Sequence, residues 1–446
     1  MNRRLMAAVA AAFVVVTALP GSAVAAPSDA GSGKTLVGES ELLAAAGLST
    51  DVFALMRTQE ALDVLGERIQ TAGREAAGSG FTSVVVDAAR NTLTVYWRGA
   101  VPDSVAAEVA AARDKGAAVA VRSAPYSEVQ LKAEVDRLAK LPLRRGTGTD
   151  RRSMSAAPRA DGTGIDVAVG GLPAGTTASQ ARAMVPALGA GGRIPLNVTT
   201  GGVEPASRLH DSPPPHWGGT FMQRQNEGNM CSNAFGVTGN NGAATYMLTA
   251  AHCGPGLWRT PTFVSPRLDY GNTIATRDLT RDGMAILTNA TSGAYVYWGR
   301  LTNPDTGDFG ATTGVAVADA SNTLIGDRLC TSGALTGTVC DVLVSSVGAV
   351  IFDPPVNGVG FMPAMINAIT TSAPAAGNGD SGGPVVAVRS DGRLSARGII
   401  SAISTHPNDV RPCPGWRPAE RTCSRSVWFG DLRSIMGTIG VRINTP

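Results

Sequence analysis

The stretch Gly379-Asp380-Ser381-Gly382-Gly383-Pro384 carries the strongest local pattern in this chain of 446 residues. A nucleophilic serine needs an exposed hydroxyl and backbone N–H groups directed at a developing oxyanion. Glycines on both sides of Ser381 let the backbone turn tightly and approach a substrate carbonyl. The stretch therefore predicts Ser381 as a nucleophile, with the N–H groups of Gly379 and Ser381 as oxyanion donors. The alternative is an ordinary turn of Asp, Gly and Ser.

A second pattern places a histidine after an apolar strand, at a corner of small residues: Leu248-Thr249-Ala250-Ala251-His252-Cys253. A general base has to be held rigidly, with one ring nitrogen free to take the proton of the serine. A lone histidine is more often structural than catalytic, but the chain has only four and His252 is the one in such a pattern. We therefore expect His252 to be the base.

The third member of such a group is a buried carboxylate that orients the imidazole. Asp282 is the favoured candidate, because it follows His252 and enters an apolar strand at positions 283–287. Asp269, which lies closer to the histidine along the chain, is the rival, and Asp278 is a weaker one.

The order of the candidates along the chain is His252, Asp282, Ser381, which is the order of chymotrypsin-type triads. Subtilisins run Asp, His, Ser, and α/β-hydrolases need an Asp and then a His after the serine. His406 does follow Ser381, but only a short way along the chain, and the strand–helix alternation of an α/β-hydrolase is missing from the sequence around it.

The N-terminus predicts a secretory signal peptide over residues 1–26. A short basic region, Asn2-Arg3-Arg4, precedes an apolar run at residues 5–19 and small residues at 22–26. The run is shorter than the roughly 20 residues of a membrane span, which is the alternative. The pair Arg3-Arg4 is only weakly similar to a twin-arginine signal. A formal net charge of +3 is close to neutral for this length, so we expect no nucleic-acid partner and, after signal removal, no membrane partner.

Cysteines occur only in the C-terminal half, at positions 231, 253, 330, 340, 413 and 423. An even number after a signal peptide favours disulfides formed outside the cytoplasm. A metal site is the alternative, but no CxxC pair is present and only His252 adjoins a cysteine. We expect neither a metal nor a cofactor.

The spacing of apolar residues divides the chain. Residues 27–143 predict a small α/β domain, with helical spacing over 38–77, strands within 82–97, a helix over 103–115, a strand over 117–121 and a helix over 127–140. Residues 144–164 predict an exposed linker with dibasic pairs, 165–204 a second, βαβ-like piece with a helix over 177–188, and 205–216 a Pro-rich joint. Residues 217–446 predict an all-β barrel or sandwich with one late helix at 432–437.

Together, the patterns around His252 and Ser381 resemble those of the chymotrypsin-like serine proteases. Residues 231–237 and 330–340 are similar to the secreted bacterial branch that includes the streptogrisins and α-lytic protease. Over 217–446 the resemblance implies an all-β catalytic domain of two packed six-stranded antiparallel β-barrels with the cleft between them. It implies an endopeptidase that works through an acyl-enzyme, with His252 as general base, Asp282 as its orienter and Ser381 as nucleophile.

The same resemblance implies disulfides Cys231–Cys253 and Cys330–Cys340, and the remaining pair, Cys413–Cys423, would close a local loop. The chain departs from many members because residues 374–378 lack a cysteine shortly before the nucleophile. It also lacks an Ile-Val-Gly-Gly start, so we do not expect a new N-terminal amine to pair with Asp380. In the family the residue six before the nucleophile lies at the base of the substrate pocket. Here that residue is Ala375, and 401–405, beginning at Ser401, would form another wall, so apolar or small side chains are expected rather than Arg or Lys.

Residues 38–200 are similar, more loosely, to the α/β pro-regions of that branch, which act as folding catalysts and inhibitors. The alternative is an independent binding domain. The sequence thus predicts a secreted, extracellular, monomeric protease whose partners are a protein or peptide substrate and its own pro-region. Two other functions stay open: a protease-like protein that binds without cutting, and a protease limited to self-processing.

Overall fold

The computed structural model describes residues 35–36, 49–139, 154–169, 176–177, 179–180, 192–200, 203–204, 215–225, 230–242, 244–260, 269–288, 291–299, 313–371, 373–414 and 421–446. The expected signal peptide, the dibasic pairs and most of the Pro-rich joint lie outside these residues. Within the described ranges, no helix has both the length and the apolar character to cross a membrane.

The N-terminal unit combines helices with a three-stranded sheet, as the sequence pattern predicts. Its elements are β1 (Thr35–Leu36), α1 (Thr50–Glu75), β2 (Phe81–Asp87), β3 (Thr92–Trp97), α2 (Asp103–Asp114), β4 (Ala118–Ser123) and α3 (Glu128–Ala139). Strands β2 and β3 form an antiparallel hairpin, and β4 returns parallel to β3 after α2. The apolar stripe of α1, with Leu62 and Ile69, packs on Leu93 and Val95 of β3.

Residues 154–204 add β5 (Met154–Pro158), β6 (Ile165–Val169), β7 (Leu196–Thr200) and β8 (Val203–Glu204). Strand β5 lies inside the segment that its composition predicts as a linker, because Met154 and Ala156 are buried in an apolar cluster with Val350. The parallel pair β6–β7 agrees with a crossover. The helix expected over 177–188 lies mostly outside the described residues. At its start, the Thr177 and Gln180 amides donate to each other's side chains at 2.8 and 3.3 Å, which forms a capping box.

The C-terminal part is built from short strands and one helix, α4 (Leu432–Ile439). The strands are β9 (His216–Gly218), β10 (Phe221–Arg224), β11 (Met230–Ser232), β12 (Gly236–Gly239), β13 (Thr245–Ala250), β14 (Leu257–Arg259), β15 (Asp269–Asp278), β16 (Gly283–Thr288), β17 (Ser292–Tyr297), β18 (Thr313–Ala320), β19 (Arg328–Gly333), β20 (Gly337–Val356), β21 (Val359–Ile369), β22 (Ala376–Gly377), β23 (Pro384–Val388), β24 (Leu394–Ser404), β25 (Val410–Arg411), β26 (Cys423–Ser424), β27 (Ser426–Asp431) and β28 (Val441–Ile443).

The antiparallel pairings of these strands form two groups of six neighbours, with β11 and β12 counted as one segment, which we call the first ring and the second ring. In the first ring, β10, β14, β15, β16 and β13 are successive neighbours. The segment 230–239 completes it, since β11 pairs with β10 and β12 pairs with β13. The second ring runs β20, β19, β23, β24, β27, β21 and back to β20. This strand count agrees with the resemblance, while the packing of two complete barrels stays a prediction.

The N-terminal unit lies against the second ring. Strand β5 adds to β20 as an antiparallel neighbour. Phe53 and Met56 of α1 belong to the same apolar cluster as Leu248 of the first ring and Ile399 of the second. One continuous core therefore joins α1 to both rings.

Candidate active site

His252 lies in a short 3-10 turn directly after β13, and its neighbour Cys253 is bonded to Cys231. The backbone N–H of His252 donates to Oδ1 of Asp282 at 2.7 Å, and ring Nδ1 lies 2.5 Å from Oδ2 of the same carboxylate. Because a carboxylate only accepts, Nδ1 carries the hydrogen in this contact. Within the described residues Nε2 has no hydrogen-bond partner. The imidazole is thus held in the tautomer whose other nitrogen can accept a proton.

Asp282 is fully buried and has a φ of 57°. Asp is one of the few side chains that adopt this left-handed conformation with some ease. Its Oδ2 also accepts the hydroxyl hydrogen of Ser401 at 2.6 Å, and its backbone oxygen accepts the Ala251 N–H at 3.0 Å. The carboxylate is consequently fixed from two sides.

The two rival carboxylates are engaged elsewhere. Asp269 forms an ion pair with Arg259 and its side chain is about half exposed. Asp278 accepts the backbone N–H of Thr280 and Nη1 of Arg281, at 3.1 and 3.0 Å. Burial alone would raise the pKa of Asp278, but the hydrogen bonds from Thr280 and Arg281 lower it below its usual value. Among the three candidates, only Asp282 contacts the His252 ring in the described structure.

Ser381 is fully buried between the two rings, whereas the sequence pattern predicts an exposed hydroxyl. Its hydroxyl donates to the backbone oxygen of Ser401 at 3.3 Å, and its own backbone oxygen accepts the Ser232 N–H at 2.7 Å. Ser401 therefore contacts Ser381 through its main chain and Asp282 through its side chain. These contacts bring Ser381, Asp282 and His252 into one connected group.

The turn around Ser381 has a positive φ at two glycines, one on each side of the nucleophile. Gly379 and Gly382 have φ values of 89° and 85°. A Cβ at Gly382 would also lie 2.1 Å from the backbone oxygen of Ser232. The close approach of this turn to the first ring therefore requires glycine.

The two predicted pocket residues differ in what they contact. Ala375 is fully buried: its N–H donates to Ser424 at 2.7 Å and its backbone oxygen accepts the Thr331 hydroxyl at 2.6 Å. Ser401 is also buried, but its hydroxyl is directed at Asp282. The side chain of Ser401 thus belongs to the carboxylate's surroundings as well as to the expected wall.

The segment before the nucleophile lacks the expected cysteine, but the sulfur of Cys423 lies beside it. The structure joins Cys231 to Cys253, Cys330 to Cys340 and Cys413 to Cys423, the same three pairs as expected. Gly377 pairs with Cys423 between β22 and β26, and a Cβ at 377 would lie 2.3 Å from the Cys423 sulfur. The sulfur fills the space that a side chain at 377 would need, and its bond goes to Cys413.

A cluster of possible metal ligands adjoins the site, since one side-chain donor atom each of Cys231, His252 and Cys253 lies within 4.8 Å of the others. The thiolate is the ligand form of cysteine, and both sulfurs are already joined in a disulfide. The cluster therefore offers a metal only the imidazole of His252.

Strand β8 runs beside the site. It pairs antiparallel with the end of β24, Glu204 opposite Ile403 and Val203 opposite Ser404. The chain direction of β8 leads from Ser404 back towards Ser401.

Two contacts around the candidate triad were missed by sequence reasoning. One is the Ser401 hydroxyl on Asp282, 119 residues away along the chain. The other is Asn357, at the tip of the β20–β21 hairpin, whose Nδ2 donates to the backbone oxygen of His252 at 2.7 Å. No local sequence signal marks either contact, because each joins segments that are far apart in the sequence.

Comparisons with protein-family models and with curated proteins give no match. Among solved structures, a protease of Nocardiopsis is similar at 19% identity and a TM-score of 0.35, over 51% of this chain and 98% of that chain. A glutamic acid-specific serine protease has 22% identity and a TM-score of 0.36, over 51% and 100%. Protease A of Thermobifida fusca has 19% identity and a TM-score of 0.33, over 52% and 98%. The geometry around Ser381, and not these likenesses, supports the function proposed next.

Proposed function

We propose that this chain is a secreted serine endopeptidase, made as a precursor, that hydrolyses peptide bonds through Ser381, His252 and Asp282. One observation carries the proposal: the Asp282 carboxylate contacts both the main chain and the ring of His252, and Ser401 connects that carboxylate to Ser381. An N-terminus typical of a signal peptide and three disulfides support secretion.

In the first step, the Ser381 hydroxyl attacks a peptide carbonyl while Nε2 of His252 takes its proton. Asp282 stabilises the imidazolium that forms, and the same proton then passes to the leaving amine. A water then attacks the Ser381 ester while His252 takes its proton, and His252 returns that proton to the Ser381 oxygen as the acid product leaves. The N–H groups of Gly379 and Ser381 stabilise the oxyanion in both steps.

The substrate class is a protein or peptide with an apolar or small residue before the cleaved bond. Ala375 is uncharged and fully buried, so it offers no counter-charge to an Arg or Lys side chain. A peptide library that showed strong preference for Arg or Lys would contradict this assignment.

Self-processing is a second function that a specific observation favours. Extended peptides bind many proteins by adding a strand to a sheet edge, and β8 occupies the edge of β24 just beyond Ser401. Ala206, two residues after β8 ends, is small and follows Pro205, which suits the expected preference for a small residue before the cut bond. We propose that the first bond cut is Ala206–Ser207 of the enzyme's own chain.

The experiment that tests the proposed function compares the secreted wild-type chain with Ser381→Ala in casein hydrolysis. Ser390→Ala, which removes an exposed hydroxyl from the β23–β24 turn, is the matched control. We expect activity in the wild type and in the control and none above background in Ser381→Ala. Equal casein hydrolysis by Ser381→Ala would overturn the proposal.

A further inference from the structure

The residue directly before the proposed nucleophile, Asp380, is a buried carboxylate that the proposed mechanism does not use. Its side chain accepts the N–H groups of Leu335, Thr336 and Gly377 at 2.8, 3.1 and 2.8 Å, and also the Thr336 hydroxyl. All of these donors are neutral. Such donors stabilise a buried carboxylate, and a nearby opposite charge stabilises it further.

Arg421 supplies that opposite charge. Its Nη2 lies 3.4 Å from Oδ2 of Asp380, and its side chain is only 2% exposed. The same nitrogen donates to the Thr336 hydroxyl at 2.6 Å, and Nε donates to the backbone oxygen of Asn378 at 3.1 Å. Nη1 donates to the backbone oxygen of Leu335 at 3.3 Å. The guanidinium therefore contacts Asp380 and both segments that flank it.

The position of Arg421 is fixed by a disulfide-closed loop. Cys423, two residues later, is bonded to Cys413, and Nη1 of Arg421 donates to the backbone oxygen of Pro414 at 2.9 Å. The strand that follows Arg421 pairs with the strand that leads to the nucleophile, Cys423 opposite Gly377. The pairing and the disulfide therefore hold the backbone that carries Arg421 close to the nucleophile segment.

Asp380 also lies between the two residues whose amides are proposed to stabilise the oxyanion. Its N–H donates to the backbone oxygen of Gly377 at 3.0 Å, and its backbone oxygen accepts the Gly383 N–H at 2.9 Å. Its carboxylate takes the Gly377 N–H, which closes the turn from the other side. Anchoring this side chain thus sets the peptide planes on both sides of Asp380, which include the N–H of Ser381.

We infer that Arg421 is a positioning residue for the oxyanion amides. Its positive charge holds the Asp380 carboxylate and so orders the Gly379–Ser381 turn, and no newly formed N-terminal amine is needed for this. This inference rests on the proposed function. It agrees with a chain that has no Ile-Val-Gly-Gly start. It also gives the Cys413–Cys423 disulfide a role in catalysis, because the bond secures the loop that carries the guanidinium.

The test measures kcat and KM on a peptide substrate, and the rate of labelling by a fluorophosphonate, for Arg421→Met and Arg421→Lys in the full secreted chain. Arg421→Met should lower kcat by about 100- to 1,000-fold, the effect of losing one oxyanion donor, with KM changed by less than about threefold. Arg421→Lys should recover part of the lost kcat, because an ammonium keeps the charge without the fork of donors. Arg411→Met, on strand β25, which pairs with the same strand β26, is the control and should leave kcat unchanged.

A double variant keeps the inference testable if Arg421→Met fails to fold. Asp380→Asn/Arg421→Met removes both charges, so it should be secreted and should be more active than Arg421→Met. Three results would each overturn the inference: unchanged kcat in Arg421→Met, an equal loss in Arg411→Met, or a double variant no better than the single one. An inactive wild-type chain would instead overturn the proposed function, so the two failures are distinguishable.

Discussion

The hydroxyl of Ser401 donates to Oδ2 of Asp282 at 2.6 Å, across 119 positions of sequence. Asp282 belongs to the first ring of strands and Ser401 to β24 of the second. This bond is therefore a direct polar link between the ring that carries the proposed base and the ring that carries the proposed nucleophile. It holds the carboxylate oxygen that contacts the His252 ring.

Removing this link tests whether Ser401 orients Asp282. A hydrogen bond to a charged acceptor contributes about 1.5–3 kcal/mol, and about 1.4 kcal/mol corresponds to a tenfold change in rate. We expect Ser401→Ala to lower kcat by about tenfold or more in steady-state peptide hydrolysis. Ser395→Ala on the same strand, whose hydroxyl donates to the carboxylate of Asp319 at 2.5 Å, should leave kcat unchanged. A Ser401→Ala enzyme with wild-type kcat would contradict this role.

Replacing each of the three candidate carboxylates by asparagine distinguishes their roles. Asp282→Asn should lower kcat by about 10,000-fold, because an amide in place of the carboxylate favours the wrong imidazole tautomer. Asp278→Asn should reduce thermal stability through the lost contacts with Thr280 and Arg281, with little change in kcat of the folded enzyme. Asp269→Asn should change neither quantity much, since its ion pair is exposed. The assignment fails if Asp269→Asn or Asp278→Asn gives the larger loss of kcat.

Self-processing makes a prediction about the N-terminus of the secreted protein. N-terminal sequencing of the mature form should start at Ser207, because Ala206 is a small residue that follows β8, the strand that pairs with β24 beyond Ser401. Ala206→Lys should suppress cleavage there, since the uncharged Ala375 provides no partner for the ammonium. Ser381→Ala should accumulate as the uncut precursor. A mature N-terminus after the dibasic pair at 151–152, present also in Ser381→Ala, would point to another protease.

A buried charge cluster joins α1 to the second ring. Arg397 of β24 lies 2.7 Å from Asp63 of α1 and 3.3 Å from Asp327. Burial raises the pKa of Asp327 well above its usual range, and the neighbouring Asp63 raises it further, while Arg397 acts in the opposite direction. The folded chain therefore binds this proton more tightly than the unfolded chain does.

The stability that this proton contributes is fully present below the pKa that Asp327 has in the unfolded chain, about 4. It is lost as pH rises through the higher pKa that Asp327 has in the folded chain. We therefore expect the free energy of unfolding in urea, measured relative to Asp327→Asn, to fall over that window as pH rises and then to become constant. Asp136→Asn, a partly exposed helix carboxylate, is the control and should not alter this profile. A difference between wild type and Asp327→Asn that rises with pH would contradict the prediction.

The sequence alone predicts the local parts of this molecule well and the long-range parts poorly. His252, Asp282 and Ser381 each lie in a local pattern, and the structure connects them through Ser401, while their catalytic roles stay predictions. Strand β5 was not distinguishable from a linker, because the apolar surface that buries Met154 comes from β20, which lies far later in the chain. Arg421 gave no signal for the same reason: its partners become neighbours only after β26 pairs with β22.

The most direct test of the central claim is covalent labelling of the purified secreted chain with a fluorophosphonate, followed by peptide mass spectrometry. Serine hydrolases react with this probe only when the nucleophile is activated by its base and stabilised by an oxyanion site. We expect one label per chain, located on Ser381, with labelling lost in Ser381→Ala and strongly slowed in His252→Ala. A wild-type chain that remains unlabelled, or that carries the label on a different serine, would contradict the account.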